Sequence, residues 1–103
     1  MAIGLDKDCS QGRLYWSDIS ARHILTAKYD GSDLKPFITE NIESPEGVAV
    51  DWISRRLYWT DSSKDTIEVA SLDNPKLRAV IVRANLVNPR GIAVDPHQKY
   101  ILT

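Results

Sequence analysis

Apolar residues fall in short clustered or alternating runs bounded by Gly, Pro, Asn, Asp or Ser, and no stretch sustains helical spacing. Ile24 to Asp30 (ILTAKYD) parallels Ile67 to Asp73 (IEVASLD), and Lys35 to Thr39 parallels Arg78 to Val82. This pattern predicts strands with turn punctuation, near 47–50, 56–59, 66–71 and 78–82 in the middle of the chain. Asp30-Gly31-Ser32 reads as a hairpin turn, whereas its counterpart Asp73-Asn74-Pro75 lacks the glycine.

The runs belong to an internal repeat. Tyr15-Trp16-Ser17-Asp18 recurs 43 residues on as Tyr58-Trp59-Thr60-Asp61. Ser44-Pro45-Glu46-Gly47-Val48-Ala49-Val50-Asp51 recurs 44 residues on as Asn88-Pro89-Arg90-Gly91-Ile92-Ala93-Val94-Asp95. Tyr100-Ile101-Leu102-Thr103 reads as a weaker third copy of the aromatic motif, and Ile3-Gly4-Leu5-Asp6 as the first copy of the glycine–aspartate segment. Four antiparallel strands at this period make one blade of a β-propeller. The physical reason is burial: a four-stranded sheet apolar on both faces hides them only between two neighbours. The expectation is an all-β chain, a single incomplete propeller over 1–103, with units at roughly 1–43, 44–87 and 88–103.

Each recurring residue has a structural task on this reading. Pro45 and Pro89 set the turn before the innermost strand, and Gly47 and Gly91 let the backbone pass close to its neighbours. Tyr15 and Trp16, like Tyr58 and Trp59, point to opposite sheet faces and fill different gaps between blades. Asp18 and Asp61, and Asp6, Asp51 and Asp95, recur once per unit; an active site occurs once, so backbone capping explains them better than catalysis or calcium binding. His23 and His97 occupy no matching position and read as solvated. Ser62-Ser63-Lys64 lacks the signals of a nucleophilic site.

Differences between the units point to function. Between proline and glycine, Glu46 becomes Arg90, at the mouth of a central channel. The pair either bridges adjacent blades or meets the polar groups of a protein ligand. Trp52 and Ile53 form a bulky turn that is packing or partner contact.

Composition narrows the classes. The chain has 103 residues, 43% hydrophobic, with a formal net charge of −1 and both signs interspersed. That disfavours an electrostatic grip on nucleic acid or on an anionic membrane surface, and no apolar run is long enough to span a bilayer. Met1 to Ser10 carries Asp6, Lys7 and Asp8 and has no signal-peptide core, so a secreted parent would carry its signal upstream. Cys9 is the one cysteine. Its ordinary reading is a buried small residue, its sharper reading half of a disulfide with a partner elsewhere.

Tyr-Trp-Thr-Asp in fixed phase with Pro-x-Gly-[Val/Ile]-Ala-Val-Asp resembles the YWTD repeats of low-density-lipoprotein-receptor-type propellers, over essentially the whole chain. The resemblance implies a partial six-bladed YWTD propeller, a non-enzymatic protein-binding module without cofactor or metal. Asp73-Asn74-Pro75 and Tyr100-Ile101-Leu102-Thr103 depart from the family pattern, the second by losing its Trp. Within the family the likeness is strongest to basement-membrane linkers. That implies an extracellular matrix protein in cell–matrix adhesion, with a laminin short-arm module as ligand and no direct membrane contact. Glu46 and Arg90 are the candidate contact residues. The alternative is the ligand-binding propeller of a cell-surface receptor, which a transmembrane span downstream would reveal. A third, an enzyme on the same scaffold, needs a unique polar constellation in other blades. Two blades alone leave sheet faces and strand edges open, so a piece of this length is expected to self-associate.

Overall fold

The computed structural model describes residues 2–82, 93–95 and 100–102. Pro89, Arg90, Gly91 and His97 lie outside them. The described residues form no helix. Strands β1 (Ala2–Asp8), β2 (Arg13–Asp18), β3 (His23–Lys28) and β4 (Lys35–Ile38) make one antiparallel sheet in chain order. Strands β5 (Pro45–Asp51), β6 (Arg56–Asp61), β7 (Thr66–Ser71) and β8 (Arg78–Val82) make a second of the same order. A third begins as β9 (Ala93–Asp95) paired antiparallel with β10 (Tyr100–Leu102). The expected all-β architecture is therefore present, with the central strands where the periodicity placed them.

The first strand of each sheet packs on the first strand of the next, β1 on β5 and β5 on β9. The sheets thus stack side by side around their innermost strands. The core is the seam between the first two blades. Tyr15, Ile24, Ile38 and Ile42 from the first blade meet Val48, Val50, Leu57, Trp59, Ala70 and Leu72 from the second. Ile24, Leu57 and Trp59 are completely buried. Each such aliphatic side chain contributes about 1.5–3 kcal/mol. Tyr15 also meets the Phe37 ring edge-on at 5.1 Å. Trp59 lies in this seam, while its neighbour Tyr58, also buried, projects from the opposite face of the sheet.

Gly4 explains how closely the blades approach. A Cβ there would stand 2.2 Å from the Glu46 backbone oxygen and 2.9 Å from the Val48 nitrogen, so only glycine fits.

The strand register corrects one correspondence. Leu5 faces Trp16 and Asp6 faces Tyr15, while Val48 faces Trp59 and Ala49 faces Tyr58. Asp6 therefore stands where Ala49 stands, and the counterpart of Asp51 is Asp8 rather than Asp6. The cause is that β1 carries Asp6-Lys7 where β5 carries Ala49-Val50. Cys9 is a second correction: it lies in the β1–β2 turn and is exposed, because the turn carries it beyond the end of the sheet. His23 opens β3 and is half-buried rather than sitting in a turn.

Both β3–β4 and β7–β8 turns close, by different means. Gly31, at φ 87°, donates to the Lys28 carbonyl at 2.8 Å, and Asp30 accepts the Ser32 N–H at 2.9 Å. The turn without glycine is wider: Ser71 donates to the Leu77 carbonyl at 2.9 Å and Leu77 to that of Asn74 at 3.0 Å.

Candidate protein-binding face

Antiparallel pairing gives each blade two ends. Pro45, Asp61 and Thr66 share one register row, and Asp51, Arg56 and Ser71 share another at the opposite end. The first is called the mouth end, because it carries the chain crossing from one blade to the next; the second is the far end.

At the mouth end the motif residues build a hydrogen-bonded frame. Asp61, fully buried, accepts the N–H of Glu43 at 2.8 Å on one oxygen, and those of Ser44, Ser63 and Lys64 at 3.1 Å on the other. It thereby ties the β6–β7 turn to the inter-blade crossing with charge-assisted bonds. Asp18, in the first blade, accepts the Ala21 N–H at 3.1 Å in more exposed surroundings. The hydroxyl between the aromatic pair and the aspartate works in both blades. Ser17 accepts the Gly4 N–H and Thr60 accepts the Gly47 N–H, each at 2.9 Å. Ser17 also donates to the Glu46 carbonyl at 2.9 Å, so the first blade fixes the backbone of the residue that opens β5.

Glu46 is half-buried at this point, directly after the buried Pro45. Beside it lies a polar groove of about 450 Å³, lined by Ser20, Arg22, Glu43, Ser44 and Ser63 among others. Ser44 and Ser63 hydroxyls are 2.6 Å apart. Further in, the Asp6 carboxylate accepts the Val50 N–H at 2.8 Å, linking the two innermost strands. Asp51 accepts the Ser54 N–H at 3.0 Å, capping the turn after β5. Trp52 in that turn packs against the core, and Ile53 is exposed. Asp95 ends β9.

Two ionic clusters across the seam were not legible in the repeats. Glu68 is only 2% exposed and accepts from Arg78 at 2.8 Å, the Thr66 hydroxyl at 2.7 Å and Lys64 at 3.0 Å. Arg78 covers the Trp59 ring at 4.9 Å and donates to the Glu40 carbonyl at 2.6 Å, while Lys64 donates to that of Asn41 at 2.8 Å. Burial pushes the Glu68 carboxyl up, and the Arg78, Thr66 and Lys64 contacts outweigh it and hold it below the usual range. At the far end, Arg55 joins Asp8 at 2.5 Å, the Ser10 hydroxyl at 3.0 Å and Asp73 at 3.1 Å. Burial likewise pushes Asp8 up, and its bonds to Ser10 and Arg55 bring it below the ordinary value. Alternation in Ile67-Glu68-Val69 would have put Glu68 among solvated positions; the signal available was a base at each end of its strand pair.

These features belong to a scaffold of stacked four-stranded blades whose motif polar groups serve the backbone. The family model for the low-density lipoprotein receptor repeat class B matches residues 12–52 and 55–96, and the chain belongs to that family. Within it, the chain is 72% identical over 88 residues to the Nidogen of Drosophila melanogaster, an alignment covering 85% of this chain and 6% of the relative. It is 46% identical over 85 residues to the Low-density lipoprotein receptor-related protein 8 of Homo sapiens, covering 79% of this chain and 9% of that one. The fold superposes with a TM-score of 0.89 and 43% identity on a chain in the crystal structure of a Nidogen/Laminin complex, over 94% of this chain and 36% of that chain. The chain thus spans a small part of the curated relatives it matches.

Proposed function

We propose that these blades belong to a nidogen-like extracellular matrix protein of the basement membrane, and that their mouth end forms part of a laminin-binding face. The observation that carries this reading is the 72% identity to a nidogen, supported by the superposition on nidogen from a complex with laminin. The polar mouth groove fits the rim of such a face, since the rim of a protein interface is polar and solvent-accessible. Glu46, and Arg90 at the equivalent place in the next unit, are the contact candidates. The recurring carboxylates serve the frame, which favours binding over catalysis.

The test is binding of purified laminin to the full-length protein, comparing wild type with Glu46→Ala and Arg90→Ala. Loss of at least about tenfold in affinity for either variant, with unchanged melting, supports the reading. No binding by folded wild-type protein overturns it. The 46% identity to a lipoprotein receptor supports a second reading, a receptor propeller with another protein ligand; a transmembrane span in the full-length chain would favour it.

A further inference from the structure

We infer that the far end of the second blade carries a groove for a linear sulfated polysaccharide. The inference starts from a difference between two blades of the same register. Arg13 and Arg56 open β2 and β6, opposite Asp8 and Asp51 respectively. In the first blade, Arg13 is neutralised from the β3–β4 turn, where Asp33 accepts from its guanidinium at 2.8 Å through the carboxylate and at 3.0 Å through the carbonyl. In the second blade the corresponding turn supplies Lys76 and, at its end, Arg78. Its acid, Asp73, is held by Arg55 at 3.1 Å. Arg56 and Lys76 are exposed, and neither takes part in an ion pair among the described residues.

Both line an open groove of about 650 Å³. Its other charged lining residues, Arg55, Asp73 and Arg78, are already paired, Arg55 with Asp73 and Asp8 and Arg78 with Glu68, so Arg56 and Lys76 are the cations it offers a ligand. Its remaining wall includes aliphatic groups such as Ala79 and Leu77, the latter 64% exposed. Cations around an apolar wall match a sulfated sugar chain, which carries oxyanions at the edges of rings with apolar C–H faces. The Arg56 guanidinium is a planar fork suited to oxyanion oxygens. A nucleic-acid duplex fits less well: it needs a long basic track, whereas the mouth end carries Glu40, Glu43, Glu46 and Asp65 and the whole chain has a net charge of −1. A sulfated chain is also the polyanion an extracellular matrix protein meets, so this choice of ligand rests on the reading proposed above.

The experiment is surface-based binding of a size-defined heparin oligosaccharide to the full-length protein at about 150 mM salt, with fully desulfated heparin and polyglutamate as competitors. The double variant Arg56→Ala/Lys76→Ala should lose at least about tenfold in affinity. Lys76→Asp, which recreates the pairing of the first blade and keeps the turn polar, should lose affinity as well. Both variants should keep wild-type melting and laminin binding. Heparin affinity within about twofold of wild type in both folded variants, or equal competition by polyglutamate, overturns the proposal. So does a parallel loss of laminin binding, which would make the groove part of the laminin face. If laminin binding proves absent while heparin binding and its sensitivity to Arg56 and Lys76 persist, the groove stands and the laminin reading falls.

Discussion

Replacing Asp61 tests whether the recurring aspartate is a backbone cap. Its carboxylate holds four N–H groups, from Glu43, Ser44, Ser63 and Lys64. In Asp61→Ala all four lose their acceptor. Glu43 and Ser63 are exposed, so water replaces the carboxylate there at little cost; Ser44 and Lys64 are half-buried. Each of these two donors left unsatisfied costs about 1–3 kcal/mol, which places Asp61→Ala at about 2–6 kcal/mol of lost stability. Asp61→Asn keeps one oxygen for the three bonds of the Ser44 side and turns its amide toward the Glu43 N–H, so it should lose about 1–2 kcal/mol. Asp18→Ala should cost under about 1 kcal/mol, because its turn is exposed. Urea unfolding of the full-length protein, followed by tryptophan fluorescence, reads these differences. An Asp61→Ala variant within about 0.5 kcal/mol of wild type would refute the capping argument.

Other consequences follow from the seam. Gly4→Ala forces a Cβ against the Glu46 carbonyl, 2.2 Å away, and should lower stability by at least about 2 kcal/mol, read by thermal melting. Ser17→Ala should destabilise by about 1 kcal/mol and loosen the Glu46 backbone, with Ser17→Thr restoring it as Thr60 does in the next blade; amide exchange at Gly4 and Gly47 measures this. Asp8 and Glu68 have folded pKa values below their ordinary ones. Their contribution is therefore complete above the unfolded carboxylate range, about 4, and is lost as pH falls through the lower folded values. Melting temperature should hold from neutral pH to about 5 and fall below about 4, and the paired change Asp8→Asn/Glu68→Gln should flatten that fall.

Much of this architecture was legible because burial imposes a repeat. Trp59 and Leu57 must face the seam while Tyr58 faces the other way, so the period and the alternation appear together in the letters. Where one position departs from the repeat, letters alone mislead. Asp6 looked like the aspartate of its segment because it follows Gly-Leu, yet pairing with Tyr15 puts it at the alanine position and leaves the aspartate role to Asp8. Glu68 was hidden because its partners Lys64 and Arg78 come together only when the sheet forms. Cys9 misled because burial tendency is a property of cysteine on average, while this one rides an exposed turn. On the candidate face, Glu46 was legible as the residue that varies between otherwise matched segments. Its anchoring by Ser17 was not, since that bond joins residues of different blades.

The most direct test of the account is a hydrogen-exchange footprint of laminin on the full-length protein. The account predicts added protection in the mouth-end segments 19–22, 43–47 and 62–65, with the far-end turns 52–55 and 72–77 unchanged. Protection confined to the far-end turns, or none anywhere in these blades under saturating laminin, would contradict it.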